Sequence, residues 1–401
     1  MATDPNDLKQ VVHREVTGAE EALIDLSHRI WDHPELAFEE ERTSAATAEV
    51  LDAAGFAVET GVGGLATAFA ATYGSGPLTI GVCVELDALP GIGHACGHNV
   101  IAAAGVGAGL ALARVADDLG VTVRVLGTPA EELGGGKILM LEAGVFDGIH
   151  LAMMVHPTPA ETDTFPTLAV SQCDVHYHGR TAHASLAPHL GVNAADAITV
   201  AQVGIGLLRQ HLTPGDQVHG IVTRGGEAAN IVPGHATARY FWRAPDLDRL
   251  ARLAPRVTAC FEAGALATGA AMETEPLGPP YSEFTPDLEV ADLYRANAEG
   301  LGRRFAPRRE EGAASTDMAN VSLLLPTIHP TLGIDCGSAV NHQPEFAQYC
   351  REPSADRALL DGAIAMAQTV IDAATDVTVR QRLVSAESTT YGGRDSYPWR
   401  F

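Results

Sequence analysis

Four short segments carry side chains that bind borderline or soft metal ions. His94-Ala95-Cys96-Gly97-His98 offers a thiol at Cys96 and an imidazole at His98, and Gly127-Thr128-Pro129-Ala130-Glu131-Glu132 ends in adjacent carboxylates. His156-Pro157 and Asn341-His342-Gln343-Pro344-Glu345-Phe346 add two further imidazoles. One thiolate, three imidazoles and a carboxylate pair suit zinc, nickel, cobalt or manganese, and a metal-activated water attacking a carbonyl is the chemistry such a set supports. Taken singly, each piece has an ordinary explanation. Cys96 could be a packed small hydrophobe, Glu131-Glu132 a solvated turn, and His156 or His342 a polar residue of a strand end or loop.

The elements around them argue for convergence. Short β-branched or apolar runs alternate with helical stretches: a strand over Leu78 to Val84, a buried helix from Val100, a strand over Val121 to Leu126, a helix around Lys137 to Ala143, and a strand over Leu151 to Val155. This order predicts an α/β fold with a mostly parallel sheet. Ligands of such a sheet gather beyond the carboxyl ends of its strands. The first strand runs into Glu85-Leu86-Asp87 and then the Cys96 segment, the second into Glu131-Glu132, and the third into His156. N-terminal to them, Asp4 to about Gly55 reads as two amphipathic helices separated by Asp32-His33-Pro34-Glu35.

From about Leu168 the pattern changes to strands over Ala169 to His178, Val218 to Thr223 and Ala236 to Trp242, with helices over Ala194 to Gln210 and Asp246 to Ala267. A small α+β insertion fits these. Helices over Leu288 to Gly300 and Ser354 to Ala374 then complete the larger domain, and Val377 to Phe401 reads as a packed tail. The expected division is residues 1–168 and 281–401 in the larger domain and 169–280 in the insertion.

Composition narrows the function classes. With 46% apolar and 19% charged residues over 401, the chain is globular rather than disordered. Lys plus Arg total 26 against 50 Asp plus Glu, a net charge of −24, which excludes nucleic acid as the general partner. An anionic group on a substrate must therefore be held by a few placed cations. The six cysteines show no Cys-x-x-Cys pair, the N-terminal residues have no apolar signal region, and no apolar run is long enough for a bilayer. A cytoplasmic protein without membrane contact is the expectation.

The ordered set Asp87-Ala-Leu-Pro90, His94-Ala-Cys-Gly-His98, Gly127 to Glu132, Met153-Met-Val-His-Pro157, Gly312 to Ser322 and Asn341 to Phe346 resembles the M20-type metallopeptidases. Within them it is similar to the amidohydrolase branch of aminoacylases, hippurate hydrolase, auxin-conjugate hydrolases and p-aminobenzoyl-glutamate hydrolase. The match also includes His33-Pro34-Glu35-Leu36-Ala37 and runs through nearly the whole chain. The resemblance implies a di-metal catalytic domain interrupted by a lid that forms a homodimer interface. It implies two divalent transition ions per subunit, held by Cys96, His98, Glu132, His156 and His342, with Cys96 a candidate bridge.

By the same matching, Glu131 is the general base, passing a water proton to the departing nitrogen, and Asp87 orients a ligand imidazole. His183, in Gly179-Arg180-Thr181-Ala182-His183-Ala184, is the lid histidine for the oxyanion, often reaching across from the partner. Asn230 and Arg243 match positions that grip the substrate carboxylate. The activity implied is hydrolysis of the amide of an N-acyl, N-aroyl or aminoacyl amino acid. Two alternatives use the same scaffold: an aryl-amine deaminating hydrolase, distinguished by ammonia release, and a peptide-binding or regulatory protein without turnover. Asn99 and Leu133 stand where many relatives carry Asp and Gly, and are expected to reshape the substrate pocket. Glu85-Leu86-Asp87 replaces the His-x-Asp of other branches, and Asp317 has no assigned role.

Overall fold

The structure, a computed structural model, describes residues 4–308, 314–386 and 397–400. The chain divides into two compact units. The first comprises Met1–Pro166, Phe284–Glu311 and Thr316–Arg394, and the second Thr167–Glu283, Gly312–Ser315 and Asp395–Phe401.

The first unit begins with three helices where the sequence suggested two: α1 (Pro5–Gly18), α2 (Glu20–Asp32) and α3 (Glu41–Ala53). The apolar spacing continues through Val16 to Leu23, but Ala19 leaves helical geometry and ends α1 without a proline. There follow β1 (Ala57–Thr60), β2 (Phe69–Tyr73), β3 (Leu78–Glu85), α4 (His98–Ala113), α5 (Ala116–Leu119), β4 (Val121–Thr128), α6 (Gly136–Glu142), β5 (Leu151–Met153) and β6 (His156–Thr158). Strand β3 pairs in parallel with β4 and β5, while β1–β2 and β2–β4 are antiparallel. The strand expected over Leu151 to Val155 therefore stops at Met153, and His156 opens a separate strand.

Helix α4 is apolar on all sides and is buried along nearly its whole length. It packs on β3 and β4 as well as on α1 and α2. Its glycines set that distance, because a Cβ at Gly105 would lie 2.2 Å from Val84 Cγ1, and one at Gly109 2.6 Å from Val125 Cγ2. The N-terminus of α4 is thus fixed beside the carboxyl end of β3.

The second unit is α+β. Its strands β7 (Ala169–His178), β8 (Gln217–Arg224), β9 (His235–Ala244) and β10 (Ala271–Pro276) form an antiparallel sheet in the order β10-β7-β9-β8. Helices α7 (Ala194–Arg209) and α8 (Leu247–Thr268) pack on it, capped at their starts by Asn193 and Asp246. Strand β8 has a neighbour on one side only and is almost wholly exposed.

The chain returns to the first unit with α9 (Leu288–Gly300), α10 (Met318–Ser322), β11 (Thr327–Ile328), β12 (Thr331–Gly333), α11 (Pro344–Tyr349), α12 (Pro353–Thr375) and α13 (Val377–Ser385). Strand β11 joins the main sheet beside β5, giving the order β1-β2-β4-β3-β5-β11. Strand β12 pairs with β6. The segment read as a tail starts as helix α13, whose first turn is capped by Asp376 and which packs on α12. Among the described residues no helix is long and apolar enough to cross a membrane.

Candidate active site

The carboxyl ends of β3, β4 and β5 deliver their side chains to one place, as the fold rule requires. Cys96 Sγ lies 3.4 Å from His156 Nε2 and 3.3 Å from His342 Nε2. His98 Nε2 is 3.7 Å from Glu132 Oε1, and His342 Nε2 is 3.4 Å from Glu132 Oε2. The donors fall into two triplets, Cys96–His98–His156 and Cys96–Glu132–His342, each with ligand atoms within 4.8 Å of one another and both containing Cys96. Glu131 joins His98 and Glu132 in a third such group.

Local backbone explains the convergence. Gly97 separates Cys96 from His98 in a left-handed conformation, φ +81°, and a Cβ there would strike Pro157 Cγ at 2.3 Å. A glycine is thus what allows the Cys96 and His156 segments to touch. Among the described residues three non-glycine residues have positive φ, namely Phe38, Ala130 and His342. Two of these are at the site: His342 itself, tied by its N–H to Ala95 O at 2.9 Å, and Ala130, immediately before the carboxylate pair. Such backbone is costly and persists where neighbours enforce it.

Asp87 orients the ensemble from behind. Its Oδ1 is 3.2 Å from His98 Nδ1, and its two oxygens accept the backbone N–H groups of Glu131 at 3.1 Å and Glu132 at 3.0 Å. His156 Nδ1 lies 3.0 Å from Pro157 O. The carbonyl can only accept, so Nδ1 carries the proton and Nε2 is free to act as a ligand.

The electrostatics favour a cation. Burial pushes the Cys96 thiol well above its ordinary value, and Glu132, Glu131 and Glu85 push it further. Burial opposes charge on His98, but Glu85, Asp87 and Glu132 outweigh it and hold the imidazole well above its usual range. A proton therefore stands where positive charge is demanded. Burial, with His98 nearby, lowers the pKa of His156, which favours the neutral form that a ligand needs. Glu131, nearly buried, has its carboxyl raised well above the ordinary range by desolvation and by the charges of Glu85, Glu132 and Asp317. Glu85 Oε2, His98 Nε2 and Glu132 Oε1 are buried without hydrogen-bond partners, although they face one another across ion-pair distances. Buried atoms of this kind require compensation, and the donor set fits divalent transition ions.

A buried ion cluster missed by sequence reasoning backs the site. Lys137 Nζ donates to Glu85 Oε1 at 2.6 Å and Asp317 Oδ1 at 2.7 Å, and its backbone N–H donates to Asp317 Oδ2 at 2.9 Å. All three residues are fully buried. Asp317 is therefore a structural partner of Lys137. The available signal was that Lys137 is one of only two lysines in the chain and lies within a predicted helix. Asn99 likewise departs from its expected pocket role: its Nδ2 donates to Ser27 Oγ and Cys350 O, both at 2.9 Å, so it ties α4 to the core.

His183, Asn230 and Arg243 belong to the second unit. His183 is exposed, and its Nδ1 accepts from the N–H groups of Ser185 at 3.3 Å and Leu186 at 3.2 Å. Nδ1 is therefore the acceptor, which leaves Nε2 as the protonated donor. Asn230 is exposed on the neighbouring segment, its carbonyl accepting from Ala184 N at 2.9 Å. Arg243, on β9, donates from Nη1 to Ser315 Oγ at 2.7 Å.

Comparison with known proteins agrees with this geometry. The family model "Peptidase family M20/M25/M40" matches residues 84–372. An Xaa-Arg dipeptidase of Mus musculus is 37% identical over 91% of this chain and 88% of its own length. One of the p-aminobenzoyl-glutamate hydrolase chains of Escherichia coli K12 is 35% identical over 66% of this chain and 60% of its own. The crystal structure of a Bacillus subtilis dinuclear metal-binding peptidase of the M20 family shares the fold, with TM-score 0.65 at 20% identity, covering 89% of this chain and 98% of that one. The mostly parallel catalytic sheet, the antiparallel second unit and the matched motifs together place the chain in peptidase family M20/M25/M40, a family of metal-dependent hydrolases.

Proposed function

We propose that this chain hydrolyses the amide bond of a small dipeptide or an N-acyl or N-aroyl amino acid. The observation carrying the proposal is the pair of donor triplets that share Cys96, with Glu131 beside them. Cys96, His98, Glu132, His156 and His342 would hold two divalent ions of zinc, manganese, cobalt or nickel type. Bound there, such ions supply Lewis-acid polarisation of the scissile carbonyl and lower the pKa of water.

The chain's own residues do the rest. Glu131 takes the proton of the attacking water on its carboxylate and returns it to the departing nitrogen, a double duty that suits a buried carboxyl whose proton affinity is already raised. Asp87 fixes the His98 ring and, through two backbone N–H groups, the direction of Glu131 and Glu132. In the second unit, the family resemblance makes His183 the candidate oxyanion donor, through its Nε2–H, and Arg243 and Asn230 the candidates for binding the substrate carboxylate.

Relatives from Mus musculus and Homo sapiens are Xaa-Arg dipeptidases, and a net charge of −24 attracts a substrate with a cationic side chain. Dipeptides with a basic C-terminal residue are therefore the first substrates to test. The second unit also provides a surface for a second copy. Strand β8 is an open edge carrying exposed Ile221 and Val222, and α7 exposes Val203 and Leu207. A homodimer that pairs β8 edges and covers these side chains removes an otherwise hazardous edge.

The test is a panel of dipeptides, N-acyl and N-aroyl amino acids incubated with protein remetallated in turn with zinc, manganese, cobalt and nickel. Release of a free amino acid, highest for dipeptides ending in arginine or lysine, is the expected result. Release of ammonia alone, or no product with any metal, rejects the proposal.

A further inference from the structure

Glu40, outside the metal-ligand set, is fully buried and binds three donors. Its Oε1 accepts the backbone N–H of Phe38 and of Ala130, both at 2.9 Å, and its Oε2 accepts Thr67 Oγ1 at 2.7 Å. Phe38 and Ala130 are two of the three positive-φ non-glycine residues among those described, so one carboxylate oxygen satisfies two strained backbone positions. The three consecutive N–H groups of Ala130, Glu131 and Glu132 all end on buried carboxylates, the first on Glu40 and the next two on Asp87. The carbonyl of Ala130 is held in turn by Gly135 N at 2.9 Å. The Phe38 ring closes the far side of this turn, since a Cβ at Gly134 would lie 2.4 Å from Phe38 Cε2.

We propose that Glu40 is a positioning residue that locks the Ala130 turn and thereby aims Glu131 and Glu132. The inference rests on the hydrolase reading only for the consequence to turnover; the lock itself is a property of the backbone. A reacting group displaced by about 1 Å costs on the order of 10²-fold in rate, so loosening this turn should be read mainly in kcat.

Hydrogen-bond reach, not charge, is what the geometry demands of Glu40. In Glu40→Gln the amide oxygen can still accept both N–H groups while the NH2 donates to the Thr67 hydroxyl. In Glu40→Asp the charge remains, but the oxygens withdraw by one methylene from donors that need them at hydrogen-bond distance. The experiment compares both variants with the parent chain. It measures kcat and KM on the zinc-loaded protein, and amide hydrogen exchange over residues 128–136 with and without zinc.

Glu40→Asp is expected to lose at least about tenfold in kcat, with KM within about threefold, and to exchange at least about tenfold faster in that segment. Glu40→Gln is expected to retain at least about a third of kcat and near-parent protection, because its hydrogen bonds survive. Unchanged exchange in Glu40→Asp, or equal damage in Glu40→Gln, overturns the proposal. If exchange behaves as expected while the parent hydrolyses no amide, the lock stands and the hydrolase reading falls.

Discussion

Glu131→Gln loses turnover by about 10²–10⁴-fold while binding the same complement of divalent metal as the parent chain, a separation that metal analysis and kcat together establish. The substitution keeps the shape and the backbone N–H bonded to Asp87, and it removes only the capacity to accept a proton. The two triplets that share Cys96, proposed here as the metal donors, do not contain Glu131. Its nearly buried position beside Glu85, Glu132 and Asp317 is what raises its proton affinity, and a neutral amide has none to raise. Near-parent activity in Glu131→Gln would show that another group moves the proton.

Cys96→Ala has the other large effect. Cys96 is common to both donor triplets, and its Sγ lies within 3.4 Å of one imidazole and 3.3 Å of another. Removing it takes one donor from both groups at once. The expected loss in metal affinity exceeds the roughly 10–100-fold that a merely supporting residue costs, with turnover falling in step. Cys260→Ser is the control: Cys260 is partly exposed, lies on α8 of the second unit, and its substitution leaves metal content unchanged. Two metal ions retained per chain in Cys96→Ala would remove Cys96 from the ligand set.

The elements that position the site were legible because their sequence patterns are strong. Strands β3 and β4 are rich in valine and other apolar residues, and α4 is a long Gly/Ala/Val helix, so their boundaries were read within a few residues. Several short or exposed elements were not. Strand β1 has hardly any buried residue and β10 is mostly exposed, so neither carries a two-residue alternation. Strands β6 and β12 have three residues each, too few for any period.

The same contrast holds for the site. Cys96, His98, Glu131, Glu132 and His156 follow strand ends in the chain, which made them readable. Glu40 and Lys137 act through contacts across 90 and 180 residues of sequence, to Ala130 and Asp317, and no local motif records such contacts. Asp87 was legible by motif, but its hold on two consecutive backbone N–H groups is a property of the folded turn.

The most direct test of the account is anomalous diffraction from crystals of the zinc-loaded protein at the zinc edge. Two peaks per chain are predicted, both within bonding distance of Cys96 Sγ, one also contacting His98 and His156 and the other Glu132 and His342. No peak at these residues, or zinc bound only elsewhere on the chain, would contradict it.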